Sequence, residues 1–302
     1  MDCREGSYSV GHVYGTTFHM VGHDGYVVHF SNASLLPSPF TVITDRSIDQ
    51  FMPGLEKGEV FIRDGCLLRR QTSDRFNILF SPDAVVDLGR KISKAPPSND
   101  ELKKTIHGLA TVIAGKGNFD GIAGVLQSMP GTFPGFPAGM IFPHGNLWSE
   151  TAVPIVRELV QSSIGRDLTV FEKSYRSLVG LGPGLTPSGD DLLVGFLAAH
   201  KLFSSSFACQ LDNVSFKRRL TCANVRTTAV AAQFLSAAMD GIFSETLFEV
   251  LRSAFDATRH GIHADGGDQE CGGDGSFLNW GHSSGTDTLA GALLGFWTML
   301  GH

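Results

Sequence analysis

From Val10 to about Pro82, apolar and polar residues alternate over short runs: HVYGTTFHMV, GYVVHF, FTVIT, GEVFIRDG, CLLRR and FNILF, separated by Gly, Asp, Asn and Pro. Two-residue alternation rich in aromatic and β-branched side chains predicts half-buried strands. The steps His23 to Gly25 and Arg63 to Gly65 carry Asp-Gly, which tolerates the positive φ of a tight hairpin. An antiparallel barrel or sandwich of about six strands is therefore expected. At Lys94 to Asp100, KAPPSND, the pattern changes: two prolines break the chain, Ser98 or Asp100 can cap, and apolar residues then recur at helical spacing. The prediction is an α+β fold, with a β-rich, barrel-like domain over residues 1–92 and a mainly helical domain over 98–302.

Helical periodicity covers Glu101 to Gly115, Phe119 to Met129, Thr151 to Ile164, Val170 to Leu178, Asp190 to Phe203, Phe216 to Asp240, Ser244 to His260 and Thr286 to Leu300. Between them, Met129 to Asn146 is too rich in Pro and Gly for a regular element and is expected to be a long loop or lid. The glycine-rich, acidic stretch from Arg259 to Gly281 reads as a flexible surface insertion.

Composition narrows the partners. A chain of 302 residues with net charge −6 has a large apolar fraction and no broad basic field, which argues against nucleic acid and anionic membranes and for small anionic molecules or proteins. The start, MDCREGSYSVG, lacks an apolar signal core, and five widely spaced cysteines do not pair off, so a reducing cytoplasm is expected. The apolar tail from Thr288 is too short to span a bilayer and predicts a buried helix.

The candidate chemistry lies in GLGPGLTPSGDDLLVGFLAA, Gly180 to Ala199. Its glycines free backbone N–H groups to turn toward one point, and the following helix N-terminus adds partial positive charge. Such a loop suits phosphate or carboxylate, and Gly182, Gly184, Thr186, Ser188 and Gly189 are the candidate donors. It is no P-loop, having no Gly-Lys-Ser/Thr. Ser188 and Asp191 fit a capping box. The same pattern, S-G-x-D-x-L-x-G-x-L, returns at Ser284, 96 positions on, with Gly285, Thr286, Asp287 and Gly291. If Gly195 and Gly291 face one another, both helix starts point into one cavity. Asp190, Asp191 and Asp287 would then accept protons or hold a divalent cation, although no cofactor is required by the sequence. Capping and the helix dipole account for much of this without any ligand. His282, two residues before the second start, is a candidate base. Arg226, placed on an otherwise apolar helix with Thr227 and Thr228, is expected to pair with a carboxylate. His260, His263, Asp265, Asp268, Glu270 and Cys271 lack zinc spacing, and the metal is left unassigned.

LVGLGPGLTPSGDDLLVGFLAA, the turn Arg226 to Thr228 and GHSSGTDTLAGALLG together resemble a bacterial family that includes the H subunit of oxamate carbamoyltransferase. The resemblance implies carbamoyl transfer between carbamoyl phosphate and oxamate, or a related amide, in allantoin or purine nitrogen catabolism, beside other protein subunits. In that chemistry Asp190, Asp191, Asp287 and His282 are the candidates for proton transfer. The loop residues, Arg226, Thr227 and Ser284 to Thr286 are the candidates for substrate binding. Two rival readings are a scaffold subunit that performs no chemistry and a magnesium-dependent nucleotide enzyme built on Asp190 and Asp191.

Overall fold

A computed structural model describes residues 5–14, 17–32, 37–44, 54–65, 67–72, 77–79, 86–129, 141–143, 145–223, 226–259, 276–279 and 281–300. The His260 to Cys271 cluster and most of the 129–146 segment lie outside them. The chain divides into two compact units, residues 1–88 with 244–246, and residues 89–243 with 247–302.

The first unit is a curled seven-stranded sheet, a half-barrel. Its strands are β1 (Gly6–Val13), β2 (Thr17–Gly22), β3 (Val27–Asn32), β4 (Thr41–Thr44), β5 (Val60–Asp64), β6 (Leu67–Arg70) and β7 (Asn77–Leu79), in the order β4-β3-β2-β1-β5-β6-β7. Both Asp-Gly hairpins form: Gly25 (φ 81°) closes β2 to β3, and Gly65 (φ 58°) closes β5 to β6. One pairing departs from the antiparallel expectation. Strands β3 and β4 run parallel, His29 opposite Thr41 and Asn32 opposite Thr44. Alternation buries Tyr8, Val10, Phe18, Met20, Val28, Phe30, Phe61, Leu68 and Ile78 in one apolar cluster.

The second unit is mainly helical: α1 (Asn99–Lys116), α2 (Leu147–Gly165), α3 (Leu168–Leu178), α4 (Ser188–Leu202), α5 (Ser206–Leu211), α6 (Val214–Ala223), α7 (Ala229–Met239), α8 (Glu245–Arg259) and α9 (Ser284–Met299). Helix α1 starts as read, with a reciprocal capping box between Ser98 and Glu101. Two expected helices are corrected. The segment expected as Phe119 to Met129 has only a 3-10 turn over Ala123–Ser128, because the residues before it wrap the start of α9. The single helix expected from Phe216 to Asp240 is two, α6 and α7, with Thr228 capping the second through Ala231 N–H.

Helices α4 and α9 form the middle of this unit and are buried at nearly every position, as helices apolar on all faces must be. Their glycines set the approach. A Cβ on Gly195 would sit 1.8 Å from the Thr288 carbonyl oxygen, and one on Gly291 would sit 1.9 Å from the Leu192 carbonyl oxygen. The two contacts are equivalent under the 96-residue repeat. No described helix is long and apolar enough to cross a membrane.

Candidate functional site

The paired helices bring their N-termini together. Thr186 Oγ1, on the loop before α4, lies 3.1 Å from Ser284 Oγ, the first residue of α9. Neither serine caps its own helix, contrary to the capping-box expectation. The N-caps are Pro187 and Ser283, without side-chain bonds, and Ser188 and Ser284 are already the first helical residues. The hydroxyls instead cross over: Ser188, with Ser283, faces the Asp287 carboxylate, while Ser284, with Thr186, faces that of Asp191. Each helix thus supplies a hydroxyl to the acid of the other.

The three acids have different environments. Asp190 is fully engaged, its Oδ1 accepting Gly180 N–H at 3.0 Å and its Oδ2 the Thr227 hydroxyl at 2.5 Å. It ties the start of the glycine loop to the turn before α7, which Thr228 fastens again by donating to the Leu185 carbonyl at 2.5 Å. Asp287 occupies the equivalent end of α9 and is fully buried. Its Oδ1 accepts the amides of Ile122 and Ala123, both at 2.8 Å, while Oδ2 is enclosed without a hydrogen-bond partner. Asp191 receives no backbone amide, and its Oδ2 is also enclosed and unpartnered. Burial pushes the carboxyls of Asp190 and Asp287 up to about 6, against the opposing pull of their hydrogen bonds. Burial raises Asp191 well above the usual carboxylate range, and the charges of Asp287 and Asp190 add to the rise.

A second loop completes the site and is absent from the sequence-based reading. In Gly117 to Gly124, Asn118 N–H donates to Thr286 Oγ1 at 2.9 Å, and Gly121 passes so close that a Cβ there would lie 2.0 Å from Asp287 Oδ2. Asn146 holds this loop, its Nδ2 donating to the carbonyls of Phe119, Asp120 and Gly121, while its Oδ1 caps α2. Three glycines within eight residues (117, 121 and 124) were the available signal.

The other predicted residues separate by exposure. Gly189 and Gly285 are buried against their own chain, where a Cβ would meet the carbonyl oxygens of Leu178 at 2.1 Å and Phe277 at 2.0 Å; backbone packing accounts for both. Thr286 is buried and committed to Asn118. Gly182 (φ 108°) and Gly184 (φ 100°) hold the left-handed turns of the loop, and Gly184 is exposed. Among the described residues, the amides of Gly182, Gly184, Leu185 and Thr186 have no acceptor. His282 is exposed, its Nε2 2.6 Å from Asp120 Oδ2 on the second loop. The placement expected for Arg226 is corrected: it lies in the turn before α7, exposed, and its Nη1 donates to the Arg176 carbonyl at 3.1 Å, not to a carboxylate. Among the described residues, no group of three His, Cys, Asp or Glu side chains is placed to hold a metal ion.

Residues 178–296, from the end of α3 through most of α9, match the family model described as oxamate carbamoyltransferase subunit AllH. The match supports assignment of the chain to the AllH family. It spans the glycine loop, the Arg226 turn, α4 and the start of α9, and it leaves out the Asn118 loop. The match associates residues 178–296 with a subunit of oxamate carbamoyltransferase, and a subunit implies protein partners. No solved structure matches the chain.

Proposed function

We propose that the chain is a working subunit of an oxamate carbamoyltransferase-type enzyme. It holds a small anion such as carbamoyl phosphate at the glycine loop, in ureide or purine nitrogen catabolism. The observation that carries this reading is the juxtaposition of free donors and enclosed acceptors: the amides of Gly182, Gly184, Leu185 and Thr186 beside the acids at the two helix starts. Backbone N–H groups fixed in this way stabilise a phosphate, or the charge growing on a leaving oxygen, with little reorganisation. Arg226, exposed one turn away, is the candidate to take the carboxylate of an oxamate-like acceptor through a two-point contact. Attack by the acceptor's amide nitrogen on the carbamoyl carbon releases inorganic phosphate and one amide proton, and Asp287 and His282 are the candidates to take that proton. Asp190, with both oxygens occupied, acts by positioning the loop.

The test is phosphate release from carbamoyl phosphate with oxamate, using the chain alone and with its neighbouring subunits, together with calorimetric binding of carbamoyl phosphate. Gly184→Val is expected to abolish binding while leaving the fold intact, because the residue is exposed but its φ of 100° excludes a branched side chain. Binding unchanged in Gly184→Val overturns the reading. The scaffold reading draws on one observation, that Asp190 is satisfied entirely within the chain. It allows binding of the anion or of a partner but predicts no phosphate release by the chain alone.

A further inference from the structure

Asp191 and Asp287 are the two site acids that keep an enclosed, unpartnered oxygen, and the structure distinguishes them. Two backbone amides on Oδ1 hold Asp287 in a setting that favours a carboxylate. Asp191 has no backbone donor; its contacts are the hydroxyls of Ser284 and Thr186, groups that accept a hydrogen bond as readily as they give one. Among the described residues, the charged groups facing Asp191 are Asp190 on its own helix and Asp287 on the opposite one, and no cation there offsets a second negative charge. A metal ion is a poor occupant of this space. Two helix N-termini present their positive ends there, and no three side chains among the described residues are disposed to ligate one.

We propose that Asp191 is protonated while Asp287 is ionised, and that Asp191 presents its proton to the glycine loop through Ser284 and Thr186. The environments of the two acids assign them opposite states: a neutral donor and a charged counterpart. The two hydroxyls, 3.1 Å apart, both face Asp191, and Thr186 belongs to the loop whose amides have no acceptor among the described residues, so a bound anion would meet a neutral acid and not another charge. The inference concerns the proposed anion site but rests on its geometry alone, and it holds for the free protein whatever the ligand.

The experiment is a carbon-detected NMR titration of full-length protein carrying 13C-carboxyl aspartate, with resonances assigned by Asp190→Asn, Asp191→Asn and Asp287→Asn. One carboxyl is expected to remain protonated well above the ordinary carboxylate range; it should disappear in Asp191→Asn. In Asp287→Asn its midpoint should fall by about one pH unit or more, because a neighbouring charge is gone. Should Asp287→Asn not fold, Ser284→Ala serves: loss of a hydroxyl engaged by Asp191 shifts its midpoint. An Asp191 midpoint in the ordinary carboxylate range, or one that does not move in either variant, overturns the proposal. The titration needs no substrate, so its outcome is separate from that of the carbamoyl phosphate assays.

Discussion

The starts of α4 and α9 carry the same ten-residue pattern and solve the same problem with different residues at its four variable positions. Each begins with a serine that reaches across to the other helix's acid and continues with a glycine pressed on its own chain. Each then places a second glycine against a carbonyl of its partner. They differ at the third position, Asp190 in one and Thr286 in the other. Both side chains receive a backbone N–H from a glycine-rich loop, Gly180 and Asn118 respectively. The difference teaches that Asp190 does a loop-holding task that a neutral hydroxyl performs in the other half. The acids at the fourth position, Asp191 and Asp287, are the ones that keep an enclosed, unpartnered oxygen.

The comparison is broken most severely at the crossing glycines. Gly195→Ala and Gly291→Ala should each cost about 3 kcal/mol or more, since the obstacle is a backbone carbonyl that cannot rotate away. Denaturant unfolding should find the two losses alike. A tolerated alanine at one site would show that the halves are not equivalent in packing. Next in size is Thr286→Val, which leaves the Asn118 amide without an acceptor beside a buried side chain and should cost about 1–3 kcal/mol.

A sharper test uses pH. Burial raises Asp190 to about 6 from an ordinary value of 3.8, so the folded protein binds this proton more tightly than the unfolded chain does. Its stabilising contribution is full below about pH 4 and is lost as pH rises through about 6. Asp190→Asn removes that dependence. The stability of the variant relative to the parent should therefore climb between about pH 4 and 6, and thermal unfolding across that range measures it. A flat difference would mean that the Gly180 and Thr227 bonds offset burial in full. The smallest effects are expected from Ser188→Ala and Ser284→Ala, about 1 kcal/mol or less each, because both acids keep other donors or hydroxyls.

How much of this was legible in advance follows from how local each feature is. The repeat at Ser188 and Ser284 revealed two helices that start alike and pack closely, because a glycine four positions after an acid reports close packing in one short window. It could not reveal that the serines serve the opposite helix, since that depends on a partner 96 residues away. Local capping rules pointed to the wrong residue by one position. Arg226 was misplaced for a related reason: an apolar run continues through a break in the helix, and periodicity does not register the turn. The Asn118 loop stayed hidden because its function is to wrap a helix start far along the chain.

The crossing of α4 and α9 also governs when the site comes into being. Joining their starts closes a loop of 96 residues, with a chain-entropy cost on the order of 4 kcal/mol that must be met before their contacts form. Neighbours such as α2 and α3, consecutive in sequence and packed together, face no such delay. The central pair is therefore a late event in folding, and a nascent chain carries every residue of the glycine loop long before it can assemble the site. Only when α9 has emerged and docked do Ser284 and Asp287 join the glycine loop and the acids of α4.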